Sequence, residues 1–121
     1  MGVFALNFYS SVFAEQLRDG RKSATIRLGD KREKYQEGQI VWLTVGQRFG
    51  TRKKIAAAVI DRIEVKALHS VSPREIQRDN PSIRSHDELV DFLAKIYGRK
   101  ISTEDTVTVI HFSRVDEFPA M

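Results

Sequence analysis

The sequence predicts a mainly β protein with flanking helices, an α+β fold in which five or six strands form a mixed or antiparallel pseudo-barrel. Three observations support this prediction: strand-like apolar segments are joined mostly by turns, only short helical stretches interrupt them, and 121 residues suffice for one domain. Closure into a small barrel would remove exposed edges from so few strands. We therefore expect a single domain over residues 1–121, with residues 116–121 as a loose tail.

The first half of the chain contains a strand, a short helix and two further strands. The apolar run Val3–Tyr9 predicts a strand, and the helical spacing that follows Ser10 or Ser11 ends at Gly20. Apolar and polar residues then alternate over Ser23–Leu28, which predicts a strand with one face toward a core. Two segments follow, the charged loop Asp30–Gln39 and the apolar strand Ile40–Val45.

The second half contains two short helices between strands. Ser72 and Ser85 each precede a glutamate by three residues, which predicts a capping box at the start of each helix. The first helix should end before Pro81 and the second at Gly98. The other predicted segments are the loop Gly46–Lys54, the strands Ile55–Ile60 and Ile63–Leu68, broken near Asp61, and the final strand Asp105–Val115.

The basic residues are concentrated in one part of the sequence. The 20 Lys and Arg residues exceed the 16 acids by four, and ten of the basic residues lie between Arg21 and Lys54, against three acids. Such a distribution attracts an anion to one side of the molecule, and nucleic-acid phosphates are the commonest large anions in cells. We therefore expect RNA or a nucleotide as the partner. A solvated basic face kept for solubility is the alternative.

Several classes of protein are excluded by what the sequence lacks. The absence of cysteine excludes disulfides, thiolate metal sites and cysteine nucleophiles. His69, His86 and His111 show no metal-ligand spacing, and no cofactor-binding motif is present, so we expect neither a metal nor a cofactor. No apolar run is long enough for a membrane span and no signal peptide is evident, so we expect a cytoplasmic protein without a membrane partner.

The segment Gly20–Arg27 (GRKSATIR) is the richest in chemistry-bearing side chains. A helix stop is followed directly by a lysine, two hydroxyl groups and two arginines. Taken singly, each has an ordinary structural explanation, such as a lysine near a helix C-terminus. As a group, cations and a hydroxyl at a turn make a site for a phosphate or a polarised carbonyl.

The order of elements, together with Gly20, Lys22, Thr25 and Arg27, resembles the ASCH domain, a member of the PUA-like superfamily. Supporting pieces are Tyr35 with Gly38, the segment Leu89–Tyr97, and Val109–Phe112. The resemblance covers most of the chain and implies a PUA-like pseudo-barrel with a cleft between the barrel and its helices. It implies binding of RNA or a modified nucleoside. Some small bacterial ASCH proteins are amidohydrolases that deacetylate N4-acetylcytidine, and a ribonuclease activity is a further alternative.

The amidohydrolase resemblance assigns catalytic roles to three residues. The proton acceptor falls on Lys22, the nucleophile on Thr25 and the acid on Asp79, with Glu75 as the reserve acid. A threonine hydroxyl attacks only when a base removes its proton, so Lys22 must be neutral for part of the time. Burial or a neighbouring cation such as Arg27 lowers the pKa of a lysine. Strict alternation would place Lys22 opposite Thr25, so we expect Lys22 to lie in the turn before the strand.

The predicted binding residues are cations and aromatic residues near this motif. Arg27 can hold a phosphate or polarise an acyl oxygen, and the loop Arg48–Lys54 can contact a nucleic-acid backbone. Tyr9, Tyr35 and Phe49 are candidates for base stacking, whereas Trp42 is expected in the core. The predicted binding set is Arg21, Lys22, Arg27, Tyr35, Arg48, Phe49, Arg52, Lys53 and Lys54. Binding is the leading hypothesis, with the amidohydrolase, the ribonuclease and a structural module as its rivals.

Overall fold

The computed structural model describes residues 4–9, 12–47 and 50–115, so the predicted tail and the predicted caps Ser10 and Ser11 lie outside the described residues. The elements, in chain order, are β1 (Phe4–Phe8), α1 (Val12–Arg18), β2 (Ala24–Leu28), β3 (Ile40–Val45), β4 (Lys53–Ala67), a 3-10 turn (Leu68–Ser70), α2 (Pro73–Asp79), α3 (His86–Tyr97) and β5 (Thr106–Val115). In the described part of the chain, no helix is long and apolar enough to cross a membrane.

The five strands form one mixed sheet in the order β1-β3-β4-β5-β2. The pair β1–β3 is parallel, and the other three pairs are antiparallel. The sheet curls into a half-barrel flanked by three helices, which confirms the predicted α+β fold.

Two apolar cores form on opposite faces of this sheet. On one face, Phe13 and Leu17 of α1 pack against buried residues of β1, β3, β4 and β5. On the other face, α2 and α3 pack against β2 and β5, where Ile26 is among the buried residues. Phe92 of α3 contacts both cores. Helix α3 therefore contributes to the packing on both faces of the sheet.

The strands at the two ends of the sheet order, β1 and β2, each have one edge that pairs with no strand in the described part of the chain. These two edges face each other across a gap. Arg27 Nη2 on β2 spans this gap and donates to the backbone oxygen of Asn7 on β1 at 3.0 Å. Side chains take the place of a neighbouring strand along β2: the amide of Ile26 donates to Asp79, and that of Leu28 donates to the Tyr97 hydroxyl. The barrel is thus bridged by side chains at this gap, where a ligand can reach buried polar groups.

Strand β4 corrects the prediction of two strands broken near Asp61. It is one strand of 15 residues, whose pairing with β5 shifts register between Ile60 and Arg62. Asp61 is the extra residue at this shift and accepts a hydrogen bond from the Ser113 hydroxyl of β5. A β-bulge of this kind bends and twists a strand without ending it. The interrupted apolar pattern therefore marks a bend rather than a loop.

The two predicted helix starts differ in detail. Before α2, Ser72 Oγ accepts from the amide of Glu75, and the Glu75 carboxylate accepts from the amide of Ser72, which confirms the capping box. Before α3, Ser85 Oγ accepts from the amide of Glu88. The Glu88 carboxylate instead accepts from the amide of Arg84, one residue earlier than a capping box requires.

Trp42 does not lie in the core, contrary to the prediction. Its neighbours Val41 and Leu43 are fully buried, whereas Trp42 points to the other face of β3 and is partly exposed. Lys54 Nζ lies 4.4 Å from the centroid of a Trp42 ring. The helices on this face pack on β2 and β5, so this part of β3 stays partly open to solvent.

Candidate functional site

A cavity of about 180 Å³ lies at the gap between β1 and β2. Its walls are mainly aromatic and aliphatic: Phe8, Tyr9, Phe13, Ile26, Phe92, Leu93, Ile96 and Tyr97. Among the described residues, its polar lining consists of Asn7, Lys22, Thr25, Arg27 and Asp79. An apolar pocket with a few convergent polar groups is the usual form of a small-molecule site, because apolar contact supplies affinity and the polar groups fix orientation.

Lys22 reaches this cavity from the turn between α1 and β2. Gly20, at φ +82°, turns the chain after α1, and the amide of Lys22 donates to the backbone oxygen of Gln16 at 3.0 Å. Strand β2 begins only at Ala24, so the alternation of the strand does not apply to Lys22. The turn therefore lets Lys22 and Thr25 line the same cavity, as the roles implied by the amidohydrolase resemblance require.

The ammonium group of Lys22 is buried and fully hydrogen-bonded. It donates to the backbone oxygen of Ala24 at 3.0 Å, to the backbone oxygen of Asp79 at 2.6 Å and to Asp79 Oδ1 at 2.9 Å. Nζ also lies 5.0 Å from the centroid of Phe8 and 4.6 Å from that of Phe13. Burial lowers the pKa of Lys22, Asp79 opposes this effect, and the nearby Arg27 guanidinium lowers the pKa further.

Asp79 is the last residue of α2 and is 3% exposed. Its Oδ1 accepts from Lys22 and from the amide of Ile26 at 3.1 Å, so the carboxylate joins the helix to the free edge of β2. Its Oδ2 is buried and has no hydrogen-bond partner among the described residues. A buried carboxylate oxygen without a donor is costly in free energy.

Thr25 and Arg27 lie two residues apart on the same face of β2. Arg27 Nε donates to Thr25 Oγ1 at 3.0 Å, and Nη2 of the same guanidinium spans the gap to Asn7. The guanidinium carbon lies 5.1 Å from the centroid of Phe8. Arg27 is thus fixed by two hydrogen bonds and a ring, while the Thr25 hydroxyl keeps its own proton available to a ligand or a base.

The mouth of the cavity carries exposed apolar side chains. Tyr9 is 50% exposed, Ile96 45% and Tyr97 37%. The Tyr97 hydroxyl accepts from the amide of Leu28 at 3.0 Å, which ties the end of α3 to β2. Helical spacing assigns Phe92 and Ile96 to an apolar stripe and gives no sign that Tyr97 would face a cavity. Tyr97 is therefore a site residue that the sequence does not predict.

Comparison with known proteins identifies the fold. No protein-family model matches the sequence, and no curated protein matches it significantly. The solved structure of an ASCH domain from Lactobacillus crispatus is 17% identical, with a TM-score of 0.66, and the match covers 93% of this chain and 79% of that one. The chain has the fold of an ASCH domain.

Two further solved structures share this ASCH fold. A protein from Enterococcus faecalis, described as a member of the family DUF984, is 16% identical, with a TM-score of 0.69, over 100% of this chain and 86% of that one. The hypothetical protein PH0355 is 17% identical, with a TM-score of 0.68, over 94% of this chain and 100% of that one. The likeness confirms the predicted resemblance at the level of the fold and carries no activity with it.

In this ASCH fold, Glu75 belongs to a different cluster from Asp79. Its carboxylate accepts from Lys66 at 2.8 Å and contacts His111 Nε2 at 3.0 Å, and Glu64 lies beside both partners. Burial would raise the pKa of Glu75, but hydrogen bonds from Lys66, the Ser72 amide and His111 outweigh it and hold the pKa at about 2. Glu75 is not among the residues that line the cavity, so Asp79 is the acid placed there.

This second cluster has the residue types of a metal site. Ligand atoms of Glu64, Glu75 and His111 lie within 4.8 Å of one another. The Lys66 ammonium, however, already bridges the two carboxylates at 3.2 and 2.8 Å. A lysine in that position supplies the positive charge that a metal ion would otherwise bring. The two carboxylates are therefore compensated within an ion-pair network.

The remaining predicted binding residues are dispersed. Arg21 is exposed and pairs with Asp19 at 2.8 Å, and Arg48 and Phe49 lie outside the described residues. Tyr35 is 4% exposed and packs in the core beside α1, so it offers no face to a base, contrary to its prediction as a binding residue. Burial raises its pKa. Exposed cations are found at and just before the start of β4, namely Arg52, Lys53 and Lys54.

The segment that carries these cations is attached to the cavity. The amide of Gly46 donates to the backbone oxygen of Phe8 at 3.0 Å, and Asn7 Nδ2 donates to the backbone oxygen of Gly46 at 2.9 Å. Lys53 pairs with Val45, which in turn pairs with Phe8. The connection between β3 and β4 therefore begins and ends beside the strand that forms one wall of the site.

Proposed function

We propose that this ASCH-fold protein binds a nucleobase, as a free nucleoside or within RNA, in the cavity between β1 and β2. The observation that carries the proposal is the composition of the cavity: aromatic walls face the buried polar side chains of Lys22, Thr25 and Asp79 and the partly buried guanidinium of Arg27. A nucleobase is a flat ring with hydrogen-bonding edges, so both kinds of lining have a use. At about 180 Å³, the cavity lies below the 300–1,000 Å³ typical of drug-sized ligands and suits a single ring system.

The distribution of charge supports RNA or a nucleotide as the natural partner. Arg52 and Lys53 are exposed, and neither forms an ion pair with an acid among the described residues. The β3–β4 connection brings them to the side of the cavity formed by Phe8. A ligand with its base in the cavity would then have its phosphate within the field of these cations.

A binding measurement with a matched control tests this proposal. Calorimetric titration with the four nucleoside 5′-monophosphates should detect binding of at least one, and Arg27→Met should weaken it about tenfold or more because a charged donor is lost. Thr25→Val removes the hydroxyl group from the same wall of the cavity with little change in the shape of the side chain. Arg62→Met is the control, since Arg62 is an exposed arginine that pairs with Glu64 away from the cavity. Absence of binding by all four nucleotides and by single-stranded RNA would contradict the proposal.

The salt dependence of RNA binding tests the role of the β3–β4 cations. If Arg52 and Lys53 contact phosphates, replacing either by Ala should weaken binding to all RNA sequences similarly and reduce the slope of log K against log salt by about one. RNA binding that does not change with salt would exclude this role.

An amidohydrolase acting on N4-acetylcytidine-type nucleosides is the second candidate. It is favoured by the presence of Lys22, Thr25 and Asp79 around one cavity and by the burial that lowers the pKa of Lys22. In this mechanism, Thr25 Oγ bonds to the acyl carbon while Lys22 takes its proton. The bond from carbon to N4 then breaks, and the proton that Lys22 has taken passes through its hydrogen bond to Asp79 and from there to the leaving amine. Water finally hydrolyses the threonyl ester, which releases the carboxylic acid and restores the Thr25 hydroxyl.

The hydrogen bonds around Lys22 favour binding over this catalysis. Lys22 Nζ donates three hydrogen bonds, two to Asp79 and one to Ala24. Three donated hydrogen bonds require the three N–H groups of an ammonium, whereas a free amine has two. Release of cytidine from N4-acetylcytidine, abolished by Thr25→Val and by Lys22→Met, would establish the hydrolase. Absence of turnover alongside nucleotide binding would leave binding as the function. Cleavage of labelled RNA in the presence of a chelator would instead indicate the ribonuclease alternative.

A further inference from the structure

In the described part of the chain, the exposed large apolar side chains are concentrated at one place. Among the described residues, four large hydrophobic side chains are clearly exposed, and three of them, Tyr9, Ile96 and Tyr97, line the mouth of the cavity. The fourth, Ile40, belongs to β3 and does not line it. Exposed apolar surface costs free energy, so a cluster of it around a cavity marks a surface that a ligand covers. We call Tyr9, Ile96 and Tyr97 the rim.

The two rim tyrosines come from different elements. Tyr9 follows β1 directly, whereas Tyr97 is the last residue of α3. The hydroxyl of Tyr97 accepts from the amide of Leu28, so the ring is held in place before any ligand arrives. Rings fixed in advance lose little conformational entropy on binding, which makes them effective stacking surfaces.

The size of the cavity separates the rim from the buried site. A cavity of about 180 Å³ suits one ring system, and a base inside it would contact the inner walls such as Phe13 and Phe92. The exposed rim surface then still lacks a cover. The chemical group that matches it is a second flat ring, and in a single-stranded nucleic acid that group is the neighbouring base.

The charges near the rim match the connection between two bases. Consecutive bases are joined by a phosphodiester, and the segment with Arg52 and Lys53 is attached to the β1 side of the mouth through Gly46 and Phe8. We propose that the natural ligand is single-stranded RNA, with one base in the cavity and an adjacent base stacked on the rim. This inference rests on the proposed function and specifies an oligonucleotide rather than a free nucleoside.

The test compares ligands that differ only in the neighbouring bases. Trinucleotides with each of the four central bases flanked by adenines are titrated against the same molecules with abasic flanks, which keep the charge and the central base. A stacked base contributes enough for the trinucleotide with adenine flanks to bind about 5- to 150-fold more tightly. In Tyr9→Leu and Tyr97→Leu this ratio should fall toward one, whereas the control Ile40→Ser should keep it.

The outcomes distinguish this inference from the proposed function. Equal affinity for adenine-flanked and abasic trinucleotides in the native protein, with both bound, would overturn the rim and leave base binding in place. Absence of binding by any trinucleotide or mononucleotide would overturn both. Tyr9 is exposed and follows a strand end, so Tyr9→Leu provides the answer even if Tyr97→Leu does not fold.

Discussion

The pair of Lys22 and Asp79 should be the most strongly coupled pair in a double-mutant test of stability. Both residues are almost fully buried, and their side chains meet at 2.9 Å. Removing one partner of a buried ion pair typically costs about 3–5 kcal/mol, because the other charge is left in a dry environment. Lys22→Met would leave the Asp79 carboxylate with only the amide of Ile26 as a donor. Asp79→Leu would leave the ammonium with two backbone oxygens and two aromatic rings.

These differences set the order of the expected losses. Lys22→Met should cost about 4–5 kcal/mol and Asp79→Leu about 3 kcal/mol. The double variant Lys22→Met with Asp79→Leu buries no charge and loses mainly the hydrogen bond to the amide of Ile26, so it should lie within about 1–2 kcal/mol of the native protein. The coupling energy between the two sites would then be about 5–7 kcal/mol.

Urea unfolding followed by circular dichroism, with the fluorescence of Trp42 as a second probe, gives each free energy of unfolding. Single variants that each lose less than about 1 kcal/mol, or losses that simply add in the double variant, would refute the buried pair. The double variant also has a functional use. If it folds and binds no nucleotide, the charges serve the ligand rather than the fold.

Two further substitutions probe the surroundings of the site. The pKa of Glu75 is lowered from 4.5 to about 2, so its ionised form stabilises the fold above pH 4.5, and this contribution is lost as the pH falls toward 2. Glu75→Gln should therefore remove about 1–3 kcal/mol of the stability difference between pH 7 and pH 3, measured by urea unfolding; an unchanged pH profile would contradict the assignment. In Gly46→Ala, the new Cβ would lie 2.5 Å from the backbone oxygen of Thr51, and thermal unfolding should show a loss of about 1–3 kcal/mol. Native stability in this variant would show that the β3–β4 connection adjusts freely.

The sequence predicts most of the fold because local patterns and tertiary packing agree. Alternation over Ser23–Leu28 places Ile26 against the helices and Thr25 and Arg27 on the other face, as found in β2. The capping box of α2 and the αL residue Gly98, at φ +63°, mark helix boundaries by short-range chemistry alone. Such signals are readable from one chain because they involve neighbours a few residues apart.

The burial of two aromatic residues, Tyr35 and Trp42, was predicted wrongly from the sequence. Tyr35 lies among charged residues in a loop, yet its amide donates to the backbone oxygen of Lys31 in a turn that directs the ring into the core. Trp42 lies in an apolar run, yet none of the described helices covers its face of β3. Both outcomes depend on which surfaces distant elements cover, and no local pattern carries that information.

The residues of the candidate site also differ in whether the sequence predicts them. Lys22, Thr25 and Arg27 are close in sequence, so their proximity could be expected, and Asp79 required the resemblance to the ASCH domain. The aromatic wall could not be predicted, because Phe13 and Phe92 come from helices on different faces of the sheet. Their meeting, at 6.1 Å between ring centroids, follows from the gap that β1 and β2 leave open.

The most direct test of the account is to map where a nucleotide binds. Titration of the isotopically labelled protein with a nucleoside 5′-monophosphate, followed by backbone amide NMR, should shift the signals of Thr25–Arg27 and of the α3 segment Phe92–Tyr97. Shifts that increase with ligand concentration at these positions would place the base in the cavity between β1 and β2. Signals that stay unchanged there, or that shift only around Trp42 on the open face of β3, would contradict it.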